Sequence, residues 1–172
     1  MWKWLQGSWQ QYQDRRRLRQ LISQARHPQP VVRVQAATDL AGRSDEDSVR
    51  ALIQLLEDAH PAVREVAQAG LRKMGPAAKD GLLVALNHGN AEVAGFSAEA
   101  LGELGSQEVV GPLITGLKFA QRPVQNACRR ALVRLGPLAV TALQAVADDP
   151  QPWVRAQIRE ILAGGAVEQP NA

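Results

Sequence analysis

A skeleton of valine, a small or apolar residue, and leucine, each four residues apart, recurs along this chain every 30 or 31 residues. Val32, Val63, Val93, Val124 and Val154 fall in register at successive offsets of 31, 30, 31 and 30. Four residues after each stands Ala36, Ala67, Ser97, Cys128 or Ile158, and four further on Leu40, Leu71, Leu101, Leu132 or Leu162. Spacing by four keeps the three side chains of a copy on one helical face. The clearest copy is HPAVREVAQAGLRKMG, residues 60–75, where Pro61 suits the first helical position and Gly75 before Pro76 supplies the stop. Gly105 and Gly136 close two further copies.

A second kind of helix lies between these. SVRALIQLLED (48–58) matches VVGPLITGLKF (109–119) at an offset of 61, pairing Val49 with Val110, Leu52 with Leu113, Ile53 with Ile114 and Leu56 with Leu117. A helix pair of this length buries its apolar faces only against neighbouring copies. The expected fold is therefore all-α: a solenoid of about five helix-pair repeats over residues 27–164, preceded by a helical segment 1–26 and followed by a flexible tail, 165–172. Apolar residues are 45% and aromatics 4% of the chain, so its core is alanine, leucine and valine.

The segment 1–26 departs from the repeat. Trp2, Leu5, Trp9 and Tyr12 form one apolar stripe, and Leu18, Leu21, Ile22 and Ala25 another. On one continuous helix the stripes point roughly 170° apart. Either the chain breaks at Gly7-Ser8, with Ser8 capping a helix from about 9 to 25, or the tryptophan stripe faces something other than the array. One reading makes it an end cap, which terminal repeats require. The other makes it a docking element, because Trp2, Trp4 and Trp9 are followed by Arg15, Arg16, Arg17 and Arg19, a combination favoured at protein and membrane interfaces.

The net charge of +3 is mild, below what a dedicated nucleic-acid binder usually carries. It is also uneven: residues 1–40 carry seven Lys/Arg against two Asp/Glu, and residues 81–120 one against four. Nucleic acid is not an expected partner. No apolar run reaches the about 18 residues of a spanning helix, and MWKWLQGS lacks a secretory apolar core. The expectation is a cytoplasmic protein, with a peripheral membrane surface as a second docking target for residues 1–19. Cys128 is the single cysteine, which excludes an internal disulfide and a cysteine zinc site; at a core position it reads as a small buried thiol. Asp45, Glu46 and Asp47 read as helix-start residues, with Ser44 and Asp47 at capping-box spacing, rather than as a metal site.

The pattern PxVRxxAxxxLxxxG followed by VxxLIxxLxD, over residues 27–164, resembles the HEAT repeat in its short, phycobilisome-lyase HEAT-like form. The resemblance implies a right-handed superhelix with second helices lining its concave face. It also implies that Arg33, Arg64 and Arg155, which follow the marker valine, bond loop acids or carbonyls; Ala94 and Gln125 replace that arginine in the third and fourth copies. Proteins with such repeats include bilin lyase subunits, deoxyhypusine hydroxylase, a DNA glycosylase and many scaffolds. The hydroxylase needs His-Glu pairs for two irons, and His27, His60 and His88 are none of them followed by glutamate; His27 and His60, each before a proline, read as helix-start residues.

No catalytic, cofactor or metal residues are expected. The chain reads as a non-catalytic protein-binding scaffold or adaptor, the alternative being a bilin lyase-like subunit or a chaperone for phycobiliprotein or cofactor maturation. Expected contact residues are Trp2, Trp4, Trp9, Tyr12, Arg15, Arg16, Arg17 and Arg19 at the N-terminus. Arg50, Gln54, Thr115 and Lys118 are expected in a groove. Phe96 and Phe119 are out-of-pattern aromatics, and Trp153 opens the last repeat on an exposed face with Arg155, Arg159 and Glu160.

Overall fold

Each copy of the skeleton forms a helix beginning at or next to a proline or asparagine signal and ending where a glycine or a loop interrupts the ladder. In the computed structural model, which describes residues 2–119 and 121–165 (only the backbone for 2–8 and 164–165), the elements are α-helices and short 3-10 turns, with no strand among the described residues. The chain divides into two compact units, one ending at Ala78 and the other starting at Lys79.

The first unit holds α1 (Trp2–Gln24), α2 (Pro30–Leu40), α3 (Glu46–Leu55) and α4 (Pro61–Met74). α1 runs unbroken through Gly7 and Ser8, so of the two alternatives the break there does not occur. Leu21 and Ala25 are buried, whereas Trp9 and Tyr12 are exposed. Ala36, Leu40, Leu52, Val63, Ala67 and Leu71 form the core. Asp45, and not Ser44, caps α3: its carboxylate accepts from Ser48 N–H at 2.9 Å and from Ser48 Oγ, and Arg43 Nε reaches it at 2.7 Å. An extended residue directly before the helix has the reach for this bond, and Asp45 occupies that place.

The second unit holds α5 (Lys79–Ala85), α6 (Ala91–Leu104), α7 (Val110–Gly116), α8 (Arg122–Leu135), α9 (Pro137–Ala145) and α10 (Pro152–Gly165). Val93, Leu101, Leu113, Val124, Cys128, Leu132, Leu143, Val154 and Ile158 are its buried centre. Ion pairs at the repeat offset tie α8 to α6, Arg130 to Glu99 and Arg134 to Glu103 at 3.7 Å. Pro112 lies in the first turn of α7, where its missing N–H has no helical partner to lose.

The skeleton is less buried at its two ends. Val32 and Leu162 are only half-buried, while every intervening valine and leucine of the skeleton is buried. In α10 Ile161 is buried in place of Leu162; among the described elements α10 packs mainly against α8 and α9, and a helix covered on fewer sides buries a narrower stripe. The stops are as expected: Gly75, Gly105 and Gly136 take φ of 56°, 64° and 52°, where a side chain is strained. The expected tail falls, after Gly165, outside the described residues.

Candidate functional site

Polar chemistry along the chain concentrates first in the loops that precede the valine helices. Arg33 Nη1 donates to the carbonyls of His27 and Pro28 at 2.8 and 2.9 Å. Arg64 does the same to Asp58 and Ala59 at 2.7 and 3.2 Å, and Arg155 to Asp149 and Pro150 at 2.8 and 3.1 Å. Gln125 donates to the Phe119 carbonyl, the equivalent position. The arginine therefore clamps the carbonyls six and five residues before it, satisfying groups a short loop leaves without partners. Arg155 is thereby held against its loop, while Arg159 and Glu160 are exposed.

A second element of the same loops was not anticipated from sequence. His27 Nδ1 accepts the Gln29 N–H, Asp58 Oδ1 the His60 N–H, His88 Nδ1 the Asn90 N–H and Asp149 Oδ1 the Gln151 N–H, all between 2.8 and 3.1 Å. His27 is thus a loop acceptor and not a helix-start residue; Gln29 holds that place. His27, Asp58, His88, Phe119 and Asp149 are spaced 31, 30, 31 and 30 apart, so the repeat period itself carried the signal. What hid it was the mixture of types: the two histidines and two aspartates are joined only by an acceptor atom two bonds beyond Cβ, and Phe119 has none.

Asp58 and Asp149 also collect cations. Arg33 meets Asp58 through two bonds, at 2.6 and 2.7 Å, and Lys118 pairs with Asp149. Hydrogen bonding from Arg33 holds the Asp58 carboxyl below its ordinary value, and Lys118 does the same for Asp149. A carboxyl depressed in the folded state stabilises above its unfolded value of about 4 and loses that contribution as pH falls through the folded value. Asp58→Asn is expected to lose stability at neutral pH and to show a flatter acid branch below about pH 4. Thermal melts from pH 2 to 7 measure this; identical acid branches would mean the pair adds nothing.

The expected contact residues fall in both units. The side chains of Trp2 and Trp4 lie outside the described residues. Trp9 and Tyr12 are 63% and 54% exposed and meet edge to face, centroids 6.1 Å apart. Arg15, Arg16, Arg17 and Arg19 are exposed beside them. Arg50 is tied to Glu46 and Asp47 on its own helix. Gln54 is exposed and lines a cavity of about 410 Å3 with Ile22, Arg33 and Asp58. Thr115 is exposed and bonds the Gly111 carbonyl, and Lys118 is engaged by Asp149. Phe96 is buried, not a contact surface: it fills a core position flanked by Gly95. Phe119 is half-buried against Gly116. Trp153 is 42% exposed.

The family model for HEAT repeats matches residues 18–83 and 79–163. The chain belongs to the HEAT-repeat family. No curated protein sequence matches it. Among solved structures, this HEAT-repeat chain is similar to the complex of CpcE and CpcF of phycocyanin lyase from a Nostoc species. Identity there is 23% and TM-score 0.50, over 86% of this chain and 64% of that one. The chain thus spans less than two thirds of that relative's length. Human deoxyhypusine hydroxylase in complex with glycerol is also similar, at 22% identity and TM-score 0.51, over 91% of this chain and 76% of that one. At these identities the likeness establishes the HEAT-type helical repeat fold and leaves the function to the residues.

Those residues offer little chemistry. Among the described residues no three His, Cys, Asp or Glu side chains gather as a metal site, and His27 and His88 spend Nδ1 on the turns described. Cys128 is buried, and desolvation pushes its thiol up to about 12, leaving no thiolate at neutral pH. No helix among the described residues is long and apolar enough to cross a membrane.

Proposed function

We propose that this HEAT-repeat chain is a non-catalytic protein-binding scaffold or adaptor that docks through the outward face of α1. One observation carries the reading: α1 packs through Leu21 and Ala25 and turns the opposite stripe, Trp9 and Tyr12 followed by Arg16 and Arg19, to solvent. Large aromatics in water are poor for solubility and good for contact, since they bring large area at little entropy cost. Among the described residues no carboxylate pairs with those arginines, so a partner with acidic groups would supply what the helix lacks.

The test is affinity capture from native lysate with the full chain, its Trp9→Ala/Tyr12→Ala variant, and Arg159→Gln as a surface control. A specific partner should be retained by the control and lost by the double variant, since aromatic anchors typically carry about 2 kcal/mol or more each. The melting temperature should stay put, because exposed substitutions usually change stability by less than about 0.5 kcal/mol. A drop in melting temperature with capture intact would make the aromatics a structural lid and end the proposal. Capture replaced by binding to anionic vesicles would make α1 a membrane anchor instead.

The repeat resemblance favours a second reading, a bilin lyase-like subunit or a chaperone for phycobiliprotein or cofactor maturation. Mixing the full chain with bilin should then shift its visible absorption band. An unchanged spectrum sinks that reading.

A further inference from the structure

Helix α8 carries four arginines, and the fold treats them in two ways. Arg130 and Arg134 are neutralised by Glu99 and Glu103 of α6. Arg122 and Arg129 line a groove toward α10, and neither has a carboxylate partner among the described residues. The groove has a volume of about 660 Å3, and its other walls include Gln125, Asn126, Trp153, Gln157 and Glu160. Trp153 is 42% exposed, a large aromatic left partly in water.

From this we infer that the α8–α10 groove binds an extended acidic peptide segment of a partner protein, with its carboxylates on Arg122 and Arg129 and an apolar side chain on Trp153. Arginine prefers two-bond contact with carboxylate, and tryptophan next to arginine is the usual composition of a binding anchor. The spacing sets the motif. Seven residues of α-helix separate the two arginines by about 10 Å along the axis. A polyproline-type segment rises about 3.1 Å per residue with three residues per turn, so acids three apart lie on one side, about 9 Å from each other. Glu160 also faces the groove, which disfavours a continuous acidic run and fits isolated carboxylates. Asn126 and Gln157 remain as donors and acceptors for the peptide backbone.

The probe is a fluorescein-labelled ten-residue peptide bearing one Glu-x-x-Glu pair and one leucine, titrated with the full chain and read by anisotropy. Binding should weaken as salt rises, and the Gln-x-x-Gln peptide should bind at least about tenfold worse, as loss of charged hydrogen bonds implies. Arg122→Gln/Arg129→Gln should weaken binding by about tenfold or more, and Trp153→Ala should weaken it as well. Arg159→Gln and Arg16→Gln/Arg19→Gln should leave it unchanged; the latter pair separates this groove from the face of α1, so either surface can fail without the other. Melting temperatures confirm that each variant is folded. The inference is overturned if the acidic peptide does not bind, if the glutamine peptide binds equally, or if the control arginines matter as much. Binding of anionic vesicles lost in Arg122→Gln/Arg129→Gln, with no peptide binding, would overturn it too.

Discussion

Leu101→Ala is expected to lower the unfolding free energy by about 2–5 kcal/mol, the range for leucine truncated in a close-packed core. Leu101 is fully buried on α6. The size of such a loss depends on whether the surroundings can collapse into the cavity, and here they cannot. At the next residue, Gly102, a Cβ would lie 2.7 Å from Ala131 Cβ and 2.8 Å from Ala131 Cα, so α6 and α8 already touch through their backbones. Neither helix can move closer to fill the space left by a missing leucine. The internal comparison is Leu162→Ala, at the same skeleton position but half-buried at the end of the array, which should cost clearly less. Urea unfolding at constant m-value reads both. A loss below about 1 kcal/mol for Leu101, or equal losses at both sites, would show that the repeat does not govern burial.

That comparison also shows what sequence could and could not supply. Periodicity identified the buried face because a residue four positions on returns to the same side of a helix, whatever surrounds it. It could not say that Leu162 would be half-buried, since burial on α10 depends on which of its sides carry a neighbour; nothing in the structure explains the partial exposure of Val32. It overvalued Phe96 as a surface residue: an aromatic breaking a run of small residues stood out in the pattern, but its ring is buried. The arginine clamps were legible as a repeated residue type, while the side-chain acceptors in the same loops, His27, Asp58, His88 and Asp149, were not, because an imidazole nitrogen and a carboxylate oxygen accept from the same place and share no pattern of hydropathy.

The candidate surfaces divide similarly. The opposition of two stripes on α1 followed from angles alone once the helix proved continuous. Lys118, by contrast, was expected as a groove residue and is paired with Asp149. The swap has a local logic: where Gln125 stands in place of the clamp arginine, it lacks the charge that Arg33 extends to Asp58, and Lys118 meets the equivalent acid from the other side. Arg122 and Arg129 were indistinguishable in sequence from Arg130 and Arg134. Glutamates stand 31 residues from Arg130 and Arg134 on α6 and from Arg129 on α10, so spacing alone does not separate the arginines; the ion pairs to Glu99 and Glu103 do.

Gly116→Ala should destabilise by about 1–3 kcal/mol, the usual cost of forcing a methyl into a full core, although alanine is ordinarily the better helix former by about 0.5–1 kcal/mol. The steric term wins because the new Cβ would lie 2.3 Å from Cys128 Sγ, while Phe119 Cε2 flanks the same spot at 3.6 Å. Cys128 is wholly buried on α8, so its sulfur has no solvent-facing rotamer into which to retreat. The Cys128 Cβ itself is 3.4 Å from the added methyl, an ordinary contact. Removing the sulfur should therefore relieve the clash. Cys128→Ala alone should cost about 1 kcal/mol for the small void it leaves, whereas Gly116→Ala/Cys128→Ala should be more stable than the sum of the two losses predicts, the methyl occupying the volume the sulfur left. A double-mutant cycle in urea should give a favourable coupling on the order of 1 kcal/mol or more. Additive losses would mean that α7 shifts away from α8 to admit the methyl, and that their close approach is not what selects glycine at 116.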